Sequence, residues 1–264
     1  MAPGASRRHR RHSRRSGGLR YRQGQSSTLV LVVRRKPFKD SFKHEPLRGV
    51  RLTRVQGYKK DIVIVCADVG AVAKGNFGWW SSLGESGTAP STLAGHVSAA
   101  LDSGKPVALG FECPLFVPLR DDERRLTSAR LGEGRRPWSA GAGCGSLATG
   151  LVQTTWVLQE IKRQLTQVTP AFLSWHEFSN SESGLFLWEA FVTGKAKGDS
   201  HTADAKLGAE AFLRVLPDPM SGNAITCENG VYSLIGAALL RTGWSGDLRL
   251  LEEPCLVMRV SNNS

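Results

Sequence analysis

Four acidic residues, widely spaced along the chain, are the residues best suited to chemistry. Asp68 ends one continuous apolar run, and Glu112 lies inside a second. Glu189 lies inside a third apolar run, and Asp204 begins an amphipathic stretch. A carboxylate in or just beyond a run of buried-strand character costs free energy unless something compensates it. Since a bound divalent cation provides such compensation, the four acids predict a metal-binding site.

Each acidic residue also has a structural interpretation that needs no metal. Asp68 could cap the turn after its strand, and Glu189 could lie on a solvent-facing side of its strand. Asp204 could be the acid at the start of a helix, where the helix dipole favours a negative charge by about 0.3–1 kcal/mol. Glu112 is harder to explain in this way, because apolar residues flank it on both sides. The joint pattern supports a site more strongly than any single residue does.

The apolar pattern predicts the elements that would position these acids. Strands are predicted over 61–67, 77–81, 107–117, 171–178, 185–191 and 254–260. Helices are predicted over 92–103, 147–165, 203–216 and 231–239. Strands that alternate with helices indicate an α/β fold, and we expect a mixed sheet flanked by helices.

Glycine residues mark places where the chain is expected to turn or to pack closely. Residues 70–78 are predicted to turn the chain between the first two strands. Gly208 lies one turn after Asp204, and a helical Gly costs about 1 kcal/mol relative to Ala, so a close approach to the sheet would explain it. Residues 120–146 are predicted to form an irregular insertion. Its glycine-rich run over 141–145 lacks the Lys and Ser/Thr of a Walker motif and is predicted to be a loop.

The positive charge of this 264-residue chain is concentrated at its beginning. The formal net charge is +12. Residues 1–60 contain 18 Lys and Arg and two acids, which gives +16, whereas residues 61–264 contain 17 basic and 21 acidic residues, which gives −4. Residues 61–264 are therefore expected to form a slightly acidic globular domain, large enough to bury most of its apolar surface.

The basic part is divided into an arm and a lead-in segment. Residues 1–27 contain eight arginines and no acid, so we expect a disordered arm, and residues 28–60 form a basic lead-in segment. The arm could bind nucleic acid, because clustered Arg side chains neutralise phosphates and release counterions. It could also be a targeting segment, or an extension without function.

The cysteine spacing and the lengths of the apolar runs indicate in which cellular compartment the protein is expected. The five cysteines are widely separated, at positions 66, 113, 144, 227 and 255. This spacing argues against a disulfide framework or a zinc site and favours a reducing compartment, so a cytoplasmic location is expected. No segment has the roughly 18–20 apolar residues needed to span a bilayer, so no membrane association is expected. The oligomeric state is left open.

The order of the acids and the predicted elements resembles the RNase H-like superfamily, especially RuvC-like resolvases and the uncharacterised bacterial RNase H-like domains related to them. The segment ADVG over 67–70 is similar to the first-strand motif. The segment FECPL over 111–115 is similar to the acid-x-Pro-Leu motif of the uncharacterised group, and HTADA over 201–205 is similar to the terminal helix motif. The resemblance covers roughly residues 61–260.

The resemblance implies metal-dependent hydrolysis of phosphodiester bonds in nucleic acid. In this superfamily two Mg²⁺ ions about 3.5–4 Å apart stabilise the attacking and leaving oxygens, and Mn²⁺ is the alternative ion. By resemblance, Asp68 would be the bridging ligand, and Glu112 and Asp204 would complete the metal cluster. Glu189 would be a further catalytic carboxylate, and His201 would position water or substrate.

Two other functions are compatible with the same fold. An RNase H-like domain that has lost catalysis would act as a binding module for nucleic acid or protein. Actin-like ATPases and sugar kinases share the core and the first-strand motif, but they need a duplicated domain with a second phosphate-binding hairpin. Since about 200 residues hold only one copy, a nucleotide-binding phosphotransferase is the less favoured alternative.

Overall fold

The computed structural model describes residues 61–192, 197–226 and 230–260. The predictions for the arm over 1–27 and the lead-in segment over 28–60 lie outside these residues. The strands are β1 (Val63–Asp68), β2 (Gly78–Ser81), β3 (Ser86–Gly87), β4 (Val107–Phe111), β5 (Phe116–Pro118), β6 (Ala171–Phe172), β7 (Leu185–Phe191), β8 (Val231–Ser233) and β9 (Leu256–Arg259). The helices are α1 (Pro90–Asp102), α2 (Gly141–Gln164), α3 (Trp175–Asn180), α4 (His201–Val215) and α5 (Leu234–Arg241). Within the described ranges, none of these helices is long and apolar enough to cross a membrane.

A mixed sheet forms the centre of the fold. Its strand order is β3-β2-β1-β4-β7-β6, and β9 pairs with the later part of β7. Strand β2 pairs antiparallel with both β1 and β3. The β1–β4, β4–β7, β6–β7 and β7–β9 pairs are parallel. Strands β5 and β8 form a separate antiparallel pair. The predicted α/β class, with a mixed sheet flanked by helices, is confirmed.

Helices cover both faces of the central sheet. Odd-numbered residues of β1, such as Val65, pack with apolar residues of α1, α2 and α5. Even-numbered residues, such as Cys66, pack with residues of α3 and α4. Because side chains alternate along a strand, Asp68 at the end of β1 belongs to the face that α4 covers.

Two glycines let α4 lie close against this face. A Cβ atom at Gly208 would lie 2.9 Å from Sγ of Cys66, so the close packing of helix and sheet accounts for a glycine in mid-helix. A Cβ atom at Gly78, the first residue of β2, would lie 2.3 Å from the backbone nitrogen of Thr202. Since Gly78 pairs with Asp68 in the β1–β2 register, the start of α4 lies beside the end of β1.

Two strand predictions are wrong in their extent. The strand predicted over 107–117 ends at Phe111, because the chain turns there and the N–H of Cys113 donates back to the carbonyl of Phe111 at 2.9 Å. Residues 116–118 then form β5 in the second sheet. The strand predicted over 171–178 is limited to 171–172, and α3 begins at Trp175. The hydroxyl of Ser174 caps α3 by accepting from the N–H of Glu177 at 3.3 Å.

Two helix boundaries also differ from the prediction. The glycine-rich run over 141–145, predicted as a loop, is the first turn of α2. Glycine lowers local helix propensity, yet α2 continues as a single helix of 24 residues that packs between α1 and α5. The helix predicted over 231–239 begins only at Leu234, because residues 231–233 pair with β5 as β8.

Candidate metal centre

Asp68 and Glu112 lie side by side at the carboxyl ends of neighbouring parallel strands. Ala67 pairs with Phe111 in the β1–β4 register, and the N–H of Glu112 donates to the carbonyl of Ala67 at 2.8 Å. Glu112 thus lies one residue beyond β4, whereas the sequence pattern placed it inside the strand. Parallel pairing explains the juxtaposition, because the carboxyl ends of parallel strands share one edge of the sheet.

Asp204 reaches the same point from the first turn of α4. Ser200 caps this helix, since its hydroxyl accepts from the N–H of Ala203 at 3.2 Å. Asp204 is only 4% exposed, and its Oδ1 accepts from the N–H of Gly198 at 2.5 Å. The acid therefore occupies the favourable start of a helix and also belongs to the carboxylate cluster.

Asp68, Glu112 and Asp204 form a compact cluster, called the acidic triad below. Each contributes one carboxylate oxygen, and these oxygens all lie within 4.8 Å of one another. Carboxylates this close repel one another unless a proton or a cation compensates their charge. Because oxygen atoms of carboxylates are the ligands that hard divalent cations prefer, the triad could hold a metal ion.

The surroundings of the triad favour the protonated form of Glu112 in the absence of a metal. Desolvation, followed by the nearby charge of Asp68, raises the pKa of Glu112 to about 9. Desolvation also raises the pKa of Asp68, against the lowering effect of its hydrogen bond with His201. Metal ligation by Glu112 requires its deprotonated form, so metal binding at neutral pH would release its proton.

Lys197 supplies a positive charge beside the triad, and no sequence pattern indicated this role. Its Nζ lies 3.2 Å from Oε1 of Glu112 and 3.2 Å from Oδ2 of Asp204. Burial disfavours the charged form of this lysine, but the surrounding carboxylates outweigh that effect and raise the pKa of Lys197. Its sequence neighbourhood is polar and contains a second lysine, Lys195, so nothing in the local pattern singles it out.

His201 lies next to the triad, at the first position of α4. Its Nδ1 forms a hydrogen bond with Oδ2 of Asp68, which joins the first residue of α4 to the last residue of β1. The side chain is 37% exposed and lines the cavity beside the triad. The contact orients the imidazole and leaves its other ring nitrogen available to water or a ligand.

One carboxylate oxygen of the triad lacks the hydrogen bond that a buried polar atom normally makes, and this favours a metal ion at the site. Oε2 of Glu112 is buried and has no hydrogen-bond partner among the residues that the structure describes. A buried polar atom without a partner costs free energy. A cation ligated by Glu112 would satisfy this oxygen. The triad therefore fits a divalent ion in three respects: its ligands are carboxylate oxygens, these oxygens lie within 4.8 Å of one another, and one of its buried oxygens has no hydrogen-bond partner among the described residues.

Glu189 does not join the triad. It is 1% exposed, so the solvent-facing interpretation is wrong. Its two carboxylate oxygens accept from the guanidinium of Arg130 at 2.8 and 2.5 Å, and Oε2 also accepts from the N–H of Leu115 at 3.0 Å. Arg130 in turn pairs with buried Glu133 at 2.8 Å. This network, which no local sequence pattern indicated, fixes the insertion over 120–146 against β7.

A cavity of about 460 Å³ adjoins the triad and is called the triad cavity below. Asp68, Glu112, Lys197 and His201 line it on the side of the triad. Other parts of its wall come from the insertion and from the start of α2, with Arg135, Arg136, Trp138 and residues 141–143. Its volume lies within the range of about 300–1,000 Å³ that is usual for small-molecule sites.

Comparisons of the chain with protein-family models, with curated proteins and with solved structures give no match.

Proposed function

We propose that this protein is a metal-dependent phosphodiester hydrolase of RNase H-like type that acts on nucleic acid. The observation that carries the proposal is the convergence of Asp68, Glu112 and Asp204, whose carboxylate oxygens lie within 4.8 Å of one another. These residues are far apart in the sequence, and three separate elements bring them together. Mg²⁺ or Mn²⁺ is the proposed cofactor, because the donor set consists of carboxylate oxygens.

The sheet topology supports the RNase H-like part of the proposal. The resemblance requires the strands of Asp68 and Glu112 to be neighbours in one mixed sheet, and β1 and β4 are paired in parallel. It also requires an antiparallel strand after the first one, which is the place of β2. The last motif acid must then lie at the start of a helix against the same sheet edge, as Asp204 does.

The residues of the site have distinct tasks in the proposed reaction. When bound, the metal supplies electrophilic stabilisation of the attacking and leaving oxygens of the phosphodiester. Asp68, Glu112 and Asp204 hold the cation at the edge of the sheet. His201, oriented by Asp68, holds water or a substrate oxygen at its free ring nitrogen. Lys197 lies close enough to the same oxygens to offset negative charge that a phosphate brings to the site.

The free thiols bear on the proposed compartment. Cys66, Cys113, Cys144 and Cys255 are unpaired among the residues that the structure covers. Free thiols suit a reducing compartment, so a cytoplasmic location belongs to the same proposal.

One observation favours a second candidate, a binding module without catalysis. Lys197 already places a cation between Glu112 and Asp204, and a lysine that replaces a metal would leave a folded but inactive site. In that case the protein would bind nucleic acid or protein without cleaving it, and its thermal stability would not respond to divalent ions.

The deciding experiment is a cleavage assay over labelled single strands, duplexes, RNA–DNA hybrids and branched junctions. Each substrate is incubated with the full chain in Mg²⁺, in Mn²⁺ and in a chelator. The proposal expects cleavage of at least one substrate that depends on the divalent ion. Binding without cleavage in either ion would select the binding module, and a melting temperature that does not respond to the ions would support that outcome.

A further inference from the structure

The triad cavity has a second, positively charged part that metal binding does not require. Arg135 and Arg136 both line it and are exposed, and the structure shows no ion-pair partner for either within its described ranges. The first turn of α2 also lines it, through residues 141–143. No side chain caps this helix, and no acid lies in its first turn. Its free N–H groups and its dipole therefore favour an anion.

An aromatic side chain lies in the same wall. The indole Nε1 of Trp138 donates to the carbonyl of Ser128 at 3.2 Å, and the backbone N–H of Trp138 donates to Oε2 of Glu133 at 3.3 Å. Because Glu133 is buried and paired with Arg130, the polypeptide around this tryptophan is held in place. A fixed aromatic ring is a platform on which a nucleobase can stack.

A third observation points to a ligand in the cavity. Oε2 of Glu112 is buried, lacks a hydrogen-bond partner among the described residues, and belongs to a residue that lines the cavity. The cavity thus joins a carboxylate set that needs a cation, a cationic region that favours a phosphate, and an aromatic ring. A metal-bound phosphate ester with an attached base satisfies all three.

We infer that the triad cavity binds one unstacked nucleotide unit, with its phosphate between the triad and Arg135 and Arg136 and its base against Trp138. The inference rests on the proposed function for the role of the metal, and it adds that the bound unit is a single unstacked nucleotide. A cavity of about 460 Å³ holds one nucleotide and cannot enclose a duplex. The unit is either a free nucleotide or a nucleotide of a single strand, as when a base is taken out of its stack.

The binding test uses calorimetric titration of the full chain in the presence of Ca²⁺, which binds oxygen ligands. The probes are adenosine 5′-monophosphate, adenosine and inorganic phosphate. We expect the nucleotide to bind at least about tenfold more tightly than either fragment, because only the nucleotide contacts the aromatic and the cationic parts together. Equal affinities of the nucleotide and phosphate would overturn the inference.

Variants of the cavity wall separate the two contacts. Trp138→Leu should lower nucleotide affinity roughly tenfold and leave phosphate affinity unchanged, whereas Trp138→Phe should retain the stacking. The double change Arg135→Gln with Arg136→Gln should weaken both probes. Trp156→Leu and Arg241→Gln are the matched controls, since both residues are exposed and neither lines this cavity. Full nucleotide affinity in a folded Trp138→Leu protein would overturn the inference.

Competition distinguishes the two sources of the unit. If a single strand of about eight nucleotides displaces the mononucleotide, the unit belongs to nucleic acid, and if it does not, the ligand is a free nucleotide. A blunt duplex that displaces the mononucleotide better than the single strand would overturn the requirement for an unstacked unit. Metal-dependent cleavage without nucleotide binding would overturn this inference but not the proposed function. Nucleotide binding without cleavage would overturn the proposed function but not this inference.

Discussion

The ammonium nitrogen of Lys197 lies 3.2 Å from Oε1 of Glu112 and equally close to Oδ2 of Asp204. These two carboxylates are also ligands that the proposed metal would use. Lys197 and a divalent cation would therefore compete for the carboxylates of Glu112 and Asp204. The lysine stabilises the metal-free triad, and metal binding must weaken at least one of its two ion pairs.

The first prediction concerns this competition. Lys197→Met should lower the melting temperature of the metal-free protein, because it leaves buried carboxylates without their cation. The same change should tighten Mg²⁺ binding by roughly fivefold, corresponding to about 1 kcal/mol for a partly exposed ion pair. Calorimetric titration and thermal melts with and without Mg²⁺ measure both effects. Lys206→Met, on the exposed side of α4, is the control, and weaker Mg²⁺ binding in Lys197→Met would contradict the competition.

The second prediction concerns Asp68. Asp68→Asn should abolish Mg²⁺- or Mn²⁺-dependent cleavage, because it removes the proposed bridging ligand. The melting temperature of the metal-free protein should hold or rise slightly, since one charge of a repelling cluster is gone and the amide oxygen can still accept from His201. Glu210→Gln, a partly exposed acid of α4, should cleave normally. Cleavage at the normal rate by a pure Asp68→Asn protein would rule out the proposed hydrolase.

The third prediction is a pH dependence of stability without metal. The pKa of Glu112 is raised from 4.5 to about 9, so the folded state holds a proton that the unfolded state loses. The free energy of unfolding should therefore fall as pH rises from about 5 to 9, by at most about 1.4 kcal/mol per pH unit. Denaturant titrations over this range measure the slope. Glu112→Gln should flatten it, and an unchanged slope in this variant would show that another group titrates.

The fourth prediction concerns the buried pair of Arg130 and Glu189. Removing one partner of a buried ion pair leaves an uncompensated charge and typically costs about 3–5 kcal/mol. Arg130→Met should be more damaging than Glu189→Gln, because Arg130 also pairs with Glu133. Urea unfolding of both variants and of the double variant gives the coupling energy. Strictly additive losses would show that the two residues do not act as a pair.

The fifth prediction concerns the arm over 1–27. Deleting it removes eight arginines, so nucleic-acid affinity should fall at low salt. The plot of log affinity against log salt should become shallower, since each neutralised duplex phosphate contributes about −0.9 to the slope. Cleavage at saturating substrate should persist, because the triad lies in residues 61–264. If the affinity and the salt slope do not change, the arm does not bind nucleic acid and is either a targeting segment or an extension without function.

The sequence alone determined the type and approximate place of the long periodic elements, but not the end of β4 or the starts of α2 and α5. Long periodic segments, such as those of β1, β7 and α4, are specified locally, because their apolar spacing matches the period of a strand or a helix. The acids were identified for the same reason, since a carboxylate beside a buried run is conspicuous. The family resemblance then supplied the expectation that Asp68, Glu112 and Asp204 meet.

Only the tertiary structure decided which basic side chains pair with which carboxylates. Lys197 and Arg130 come from polar segments without a period, so no local pattern could assign Lys197 to the triad or Arg130 to Glu189. The glycine-rich start of α2 is another example, because it has low helix propensity and is mostly exposed, yet it is helical and continues into a helix whose buried residues begin at Gly150. Ion pairs and helix starts of this kind depend on distances between segments far apart in the chain, and those distances exist only after the sheet and its helices have packed.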